Sequence, residues 1–199
     1  MTEFTVTWDY RCPFARNFHE HVLLGMEEAG DEWVVRFLPF SLNQTRIAEG
    51  DTEVWDDPEL AGARMAVEVG IAIRDGWPEV FPQVHRQLFA ARHDRGLDIR
   101  DHNVVADVLT AQGLDADQVF DEVLSCRPRD VFRIEHQGAV DNHKVFGVPT
   151  LIAGGRAAFI RVMHRPGNDA VGARRTVERA LDLLDWPELN EFKHTSIPH

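Results

Sequence analysis

A single cysteine lies at the point where an amino-terminal strand gives way to a helix. Residues Phe4 to Trp8 are predicted to form a strand, and from Phe14 onward apolar residues recur every four positions, which is helical spacing. Cys12 therefore precedes the first helical turn, and Pro13 suits that turn because its φ is fixed and its missing N–H would have had no partner. Unpaired N–H groups at a helix N-terminus favour a thiolate, so a reactive thiol is predicted; an ordinary buried cysteine is the alternative.

A second block, far along the chain, predicts a strand that begins near a proline. Residues 147–153 are predicted to form this strand, Gly154 and Gly155 a tight turn, and residues 157–162 the hairpin partner. Proline is tolerated at the start of a strand, and a bond that precedes proline is the realistic place for a cis peptide. The bond between Val148 and Pro149 is therefore the candidate for a cis peptide.

Taken together, residues 9–14 (Asp-Tyr-Arg-Cys-Pro-Phe) and residues 147–150 (Gly-Val-Pro-Thr) resemble the thioredoxin superfamily. Within it they look like the DsbA-like family, in particular its branch of FrnE-type proteins and chromene-carboxylate isomerases. The resemblance implies an α/β thioredoxin-like fold, with a central mixed sheet flanked by helices and an inserted helical subdomain. It also implies a cis-proline loop against Cys12, in which Val148 and Pro149 bind an extended thiol or peptide.

The spacing of apolar residues and turns indicates how far this likeness extends. After a second strand from Trp33 to Leu38, helical spacing alternates with turn signals over a long central stretch, and a last helix runs from about Asp169 to Leu184. We therefore expect one DsbA-like domain over the whole chain. The predicted parts are a domain over 1–199, a thioredoxin-like part at 1–57 and 138–190, and a helical insertion at about 58–137.

The chain departs from the family where thioredoxin-like oxidants carry a second cysteine. The sequence Cys12-Pro13-Phe14-Ala15 has alanine there, so a local Cys-x-x-Cys disulfide cannot form. The ordinary two-cysteine cycle is excluded unless Cys126 resolves the adduct from a distance. Three mechanisms remain open: exchange through one thiol with a small-molecule thiol, thiol-dependent isomerase or transferase chemistry, and a degenerate site that binds without turnover.

The leading functional prediction is a thiol–disulfide oxidoreductase-like enzyme that uses Cys12 alone. A low-molecular-weight thiol of the glutathione or mycothiol type is expected as co-substrate, with no tightly bound cofactor. The substrate is expected to be a small-molecule thiol or disulfide, held by Val148 and Pro149 and, in an apolar cleft between the subdomains, by Trp77. The alternatives are a non-catalytic thioredoxin-fold binding module and a thiol-dependent isomerase or transferase.

Composition and charge limit the partners. A formal net charge of −12 argues against nucleic acid, because nucleic-acid binders usually present a clustered basic surface. No apolar run approaches the roughly 20 residues that cross a bilayer, so no membrane partner is expected. The first strand begins so near the N-terminus that we expect no secretory signal and a cytoplasmic protein. No Cys/His grouping has the spacing of a zinc site, so no metal is expected; a homodimer is left open.

A basic run near the C-terminal helix has two interpretations. Most such runs are solvated faces, and the alternative is a small-anion or thiol-carboxylate site formed by arginine–carboxylate pairing. The run consists of Arg161, Arg165, Arg174, Arg175 and Arg179.

The histidines nearest the predicted site are also ambiguous. His19 and His21 lie about two helical turns beyond Cys12 and on different faces, so neither is expected to act as a base. His85 and His93 lie in the predicted insertion. We expect them to be exposed to solvent, with an approach to the cysteine as the alternative.

Overall fold

The computed structural model describes residues 1–194, which form a four-stranded mixed sheet and seven α-helices. The strands are β1 (Thr2–Trp8), β2 (Trp33–Pro39), β3 (Thr150–Ala153) and β4 (Arg156–Phe159). The helices are α1 (Pro13–Ala29), α2 (Ala61–Gly76), α3 (Phe81–His93), α4 (His102–Ala111), α5 (Ala116–Leu124), α6 (Arg127–His143) and α7 (Ala170–Leu184). The predicted α/β class, with helices inserted between β2 and β3, is confirmed.

The sheet has the strand order β2-β1-β3-β4. Strands β1 and β2 are parallel, and α1 supplies the crossover that parallel neighbours need. Strand β3 is antiparallel to both β1 and β4, with Thr5 opposite Ile152 and Val6 opposite Leu151. Because β1 and β3 run in opposite directions, the C-terminal end of β1 and the N-terminal end of β3 lie at the same edge of the sheet. The segment after Trp8 therefore meets the segment before Thr150.

Strand β1 is buried on both faces in its second half. Val6, Thr7 and Trp8 have no exposed surface, although their side chains alternate between the two faces of the sheet. This burial on both sides is typical of a strand covered by helices on each face. Helix α1 packs against α7 and α3, and α6 packs against β2.

Several boundaries differ from the predicted ones; β4, for example, covers Arg156–Phe159 instead of 157–162. Helix α6 continues past Gln137 to His143, and β3 begins at Thr150, so Pro149 precedes the strand instead of opening it. Proline has no N–H to donate to the strand ladder, whereas its carbonyl accepts a hydrogen bond from the Ile160 N–H at 2.9 Å. Among residues 1–194, the helices are too short or too polar to cross a membrane.

Candidate functional site

A tight turn between β1 and α1 positions the cysteine. The Asp9 side chain is buried and accepts hydrogen bonds from the Arg11 N–H at 3.0 Å, the Arg11 guanidinium at 2.7 Å and the Leu42 N–H at 3.1 Å. The Asp9 carbonyl accepts a hydrogen bond from the Cys12 N–H at 3.0 Å. The Asp9 carboxylate thus links the turn to Leu42, in the segment after β2, and to the Arg11 N–H within the turn. Aspartate side chains commonly stabilise turns in this way.

Cys12 is the N-cap residue of α1, and its sulfur has two hydrogen-bond partners. Sγ accepts a hydrogen bond from the Ala15 N–H at 3.4 Å, as a capping side chain does. The thiol donates a hydrogen bond to the Val148 carbonyl at 3.3 Å. Cys12 is only 8% exposed, so little of it reaches the surface between α1 and the segment before β3.

The environment of Cys12 favours the thiol over the thiolate. Burial raises the pKa of the Cys12 thiol, and the N–H groups of Ala15 and Phe14, together with the charge of Arg161, offset this only in part. The prediction of a lowered pKa at the helix N-terminus is therefore wrong for this conformation. A helix N-terminus contributes about 1 kcal/mol, which removal of the sulfur from water outweighs here.

The loop before β3 lies directly against Cys12. The Val148–Pro149 peptide bond is cis. The Thr150 N–H donates a hydrogen bond to the Thr7 hydroxyl at 2.8 Å, and the Thr150 hydroxyl donates one to the Gly147 carbonyl at 2.7 Å, so both flanks of the bond are held. The Val148 N–H has no hydrogen-bond partner within residues 1–194. Val148, which is only 2% exposed, therefore has an unpaired backbone N–H, and its carbonyl contacts the sulfur.

The three residues that follow Cys12 have different environments. Pro13 is exposed in the first turn of α1, and Ala15 is fully buried. Phe14 is half-buried, and the Arg161 guanidinium carbon lies 4.1 Å from the centre of its ring. Ala15 leaves no sulfur on the first turn of α1 other than that of Cys12.

The structure does not bring Trp77 together with Cys12. Trp77 directly follows α2 and lies four residues before the start of α3. The opposite end of α3 contacts the cysteine turn, where the His93 imidazole donates a hydrogen bond to the Tyr10 carbonyl at 2.9 Å. Helix α3 has 13 residues, which is about 20 Å. His93, unlike Trp77, is thus an insertion residue that contacts the cysteine turn.

Cys126 also lies at the end of the insertion that is remote from Cys12. It precedes α6, next to Arg127, which pairs with Asp75 at 2.8 Å, and Arg127 and Asp75 line the same surface cavity as Trp77. Both cysteines are free thiols. Nothing in this arrangement places Cys126 where it could attack an adduct on Cys12.

A model of the DSBA-like thioredoxin domain matches residues 5–172, a span that includes the Cys12 turn and the cis-proline loop. The chain belongs to this family. No curated protein sequence matches it significantly.

Solved structures share the fold of this DSBA-like protein at low sequence identity. A 2-hydroxychromene-2-carboxylate isomerase matches with a TM-score of 0.64 and 16% identity, over 90% of this chain and 96% of that chain. Pseudomonas aeruginosa DsbA matches with a TM-score of 0.60 and 17% identity, over 90% and 80%. Reduced DsbA1 from Neisseria meningitidis matches with a TM-score of 0.60 and 13% identity, over 92% and 84%. The fold is therefore one that both oxidoreductases and an isomerase use.

Sequence reasoning missed a buried chain of hydrogen bonds beneath the site. The Tyr10 hydroxyl donates to His85 Nδ1 at 2.7 Å, His85 Nε2 lies 2.9 Å from His19 Nδ1, and His19 Nε2 lies 3.0 Å from the Thr7 carbonyl. A carbonyl only accepts, so His19 Nε2 carries its proton, and its Nδ1 must accept the proton of His85 Nε2. One tautomer of each neutral histidine therefore satisfies the whole chain.

The structure corrects the expectation that His85 and His93 are exposed. His85 has no exposed surface and His93 is half-buried. Burial lowers the pKa of His19 to about 4 and that of His85 well below its ordinary value, so both are neutral. Within residues 1–194 no group of three or more His, Cys, Asp or Glu side chains has the arrangement of a metal site.

Proposed function

We propose that this DSBA-like protein is a thiol–disulfide oxidoreductase-like enzyme that reacts through Cys12 alone and uses a low-molecular-weight thiol, of the glutathione or mycothiol type, as co-substrate. One observation carries the proposal: the Cys12 sulfur contacts the Val148 carbonyl while the Val148 N–H is unpaired. An extended thiol can pair with both backbone groups as a short strand would, and its sulfur then lies beside Cys12.

Two exchange steps complete the reaction. The Cys12 thiolate attacks one sulfur of a substrate disulfide, forms a mixed disulfide with that half and releases the other half as a thiolate. The thiolate of the co-substrate then attacks the sulfur bonded to Cys12, departs as a disulfide with the first half and restores the Cys12 thiolate. The net reaction replaces one disulfide by another: one co-substrate thiol is consumed, one substrate thiol is released, and no second protein thiol takes part.

Substrate binding supplies a way to activate a thiol that is neutral at rest. A bound backbone that donates its N–H to the Val148 carbonyl competes with the Cys12 S–H for the same acceptor. Loss of that acceptor removes a hydrogen bond made only by the protonated thiol, whereas the Ala15 N–H continues to donate to the sulfur and stabilises the thiolate. We call the proposed binding site at the Val148 backbone, beside Cys12, the groove; proton release is thereby linked to its occupation.

Intact mass spectrometry tests the proposal. The reduced protein is incubated with glutathione disulfide or mycothiol disulfide, and the adduct is located by peptide mapping. We expect one adduct on the wild type and on Cys126→Ser, and none on Cys12→Ser. An adduct confined to Cys126, or a bond between Cys12 and Cys126, would contradict the single-thiol mechanism.

A non-catalytic binding module is the second candidate, because burial keeps the Cys12 thiol neutral in the free protein. In that case a groove ligand binds equally well to the wild type and to Cys12→Ser, and no adduct forms in its presence. Exchange of hydroxyethyl disulfide with glutathione, catalysed by the wild type and lost in Cys12→Ser, would decide for the enzyme. Thiol-dependent isomerase or transferase chemistry uses the same groove and also requires a bound small thiol.

A further inference from the structure

A cationic side chain lies near Cys12, close enough for its charge to act on the thiol. Arg161 follows β4, and its guanidinium lies over the ring of Phe14, two residues after Cys12, at 4.1 Å from the ring centre. A guanidinium over an aromatic face is attracted by the negative face of the ring, so the contact holds a flexible side chain in one place. Phe14 thereby fixes a positive charge at the rim of the groove.

The charge of Arg161 is not used within the protein. Other arginines in the same part of the chain are paired: Arg165 with Glu20 at 2.6 Å, and Arg174 with Glu32 at 2.7 Å. Arg161 has no carboxylate partner within residues 1–194, and its only specific contact there is Phe14. The exposed edge of its guanidinium is free to bind an anion from solution.

The net charge of the protein makes a local cation necessary for an anionic substrate. At −12, the molecule as a whole repels small anions, and a fixed positive group near the sulfur offsets this repulsion locally. Glutathione carries carboxylates, whereas mycothiol is an uncharged sugar-type thiol. A guanidinium binds a carboxylate through two parallel hydrogen bonds, which no group of mycothiol reproduces with a charge.

We propose that Arg161 binds a carboxylate of the thiol or disulfide that reacts at Cys12, so that the site selects carboxylate-bearing thiols of the glutathione class over uncharged ones. This inference rests on the proposed function, because it names the substrate class of the same groove. Arg161 acts as a substrate-binding residue, and Phe14 positions it.

Rates of adduct formation on Cys12 test the selection. An anionic disulfide, dithiodipropionate, is compared with the neutral hydroxyethyl disulfide, and the ratio of the two rates is measured by intact mass. We expect this ratio to fall about two- to fivefold in Arg161→Gln, the range for an exposed ion pair, and to be largely retained in Arg161→Lys. Added salt should reduce the difference in this ratio between the wild type and Arg161→Gln, because it screens the guanidinium that only the wild type carries.

Arg175→Gln is the matched control. It removes the same charge from an exposed arginine on α7 that has no ion-pair partner within residues 1–194, so its ratio should equal that of the wild type. An equal ratio in Arg161→Gln and Arg175→Gln would overturn the role of Arg161 and leave the proposed function intact.

A ligand that binds but cannot react separates the test of the anion site from the test of the proposed function. S-methylglutathione cannot exchange, so its affinity, measured by calorimetry against that of its diethyl ester, reports on the carboxylates alone. A preference for the free acid that is lost in Arg161→Gln supports the anion site even if no disulfide reacts at Cys12, an outcome that would contradict the proposed function. Equal affinities for acid and ester in the wild type would overturn the anion site.

Discussion

The two neutral histidines beneath the cysteine turn show how single residues define this site. His85 and His19 each use one ring nitrogen as a donor and the other as an acceptor. Protonation of either ring adds a second donor, which then faces the Tyr10 hydroxyl or another N–H inside the core. The chain is therefore satisfied in one protonation state, and a buried polar chain that is fully satisfied holds its members in one arrangement.

At the residue scale we predict that stability falls as the pH falls from about 6.5 to about 4. Burial lowers the pKa of His19 and of His136 to about 4, so the unfolded chain binds protons in this range that the folded chain does not. The stability that these neutral rings contribute is complete above pH 6.5. For each such histidine, the free energy of unfolding should fall by about 2 kcal/mol between pH 7 and pH 5, measured by urea unfolding.

The variant His136→Gln measures the part of this loss of stability that His136 causes. The His136 Nδ1 atom accepts a hydrogen bond from the Ser41 N–H at 3.1 Å, and a glutamine oxygen can do the same without binding a proton. The variant should therefore lose about 2 kcal/mol less than the wild type between pH 7 and pH 5. His164→Gln, which removes an exposed ring, should follow the wild type. Parallel curves for all three proteins would show that buried histidines do not cause the loss.

At the scale of elements, α2 approaches the cysteine turn closely because it carries a glycine at the contact. A Cβ atom on Gly70 would lie 2.6 Å from the Tyr10 hydroxyl and 3.1 Å from its ring. The same hydroxyl donates to His85 Nδ1 in α3. One tyrosine thus contacts both helices, and the spacing of α2 and α3 depends on the absence of a side chain at position 70.

A double-mutant cycle measures this contact. Tyr10→Phe should cost about 1–3 kcal/mol, because it leaves a buried acceptor on His85 without a donor. Gly70→Ala should also destabilise the wild type, because its methyl group meets the hydroxyl. In the Tyr10→Phe background the closest atom is gone, so Gly70→Ala should cost less there, with a coupling energy of roughly 1 kcal/mol in urea unfolding. Additive costs would mean that the hydroxyl does not limit the approach of α2.

At the scale of the whole molecule, charged groups join the insertion to the thioredoxin-like part beside the site. Glu20 in α1 pairs with Arg16 at 3.2 Å and with Arg165 at 2.6 Å, and Arg16 also pairs with Asp94 at the end of α3. The Glu20 and Arg16 side chains are only 11% and 10% exposed. The network lies one turn or more along α1 from Cys12, where the two subdomains meet.

Removal of the Glu20 charge should destabilise the protein more than removal of an exposed one. Glu20→Gln leaves two arginines short of a partner, one of them buried, and should cost about 1–3 kcal/mol. Glu27, in the same helix, pairs with Arg86 through a side chain that is 61% exposed, so Glu27→Gln should stay within about 0.5 kcal/mol. Equal costs in thermal unfolding would contradict the role of this network at the junction.

The sequence alone determined the fold class, the family and the position of the cysteine at the first turn of α1. These depend on local patterns, namely apolar periodicity, proline before a strand, and the residues around Cys12 and Pro149, and such patterns are visible along the chain. The placement of Trp77 away from Cys12 and the burial of His85 are not visible in such patterns. Both follow from the way α3 packs against α1 and the cysteine turn, which no local pattern specifies.

Tertiary structure also decided the chemistry of the sulfur. The helix N-terminus that predicts a thiolate is present, but the cis-proline loop covers it, so that burial raises the pKa of Cys12 and the thiol donates to the Val148 carbonyl. The pairing of Arg161 with Phe14, across 147 positions of sequence, likewise exists only in the folded chain. A pKa depends on the dielectric and charges within a few ångströms, and residues remote in sequence supply most of these surroundings.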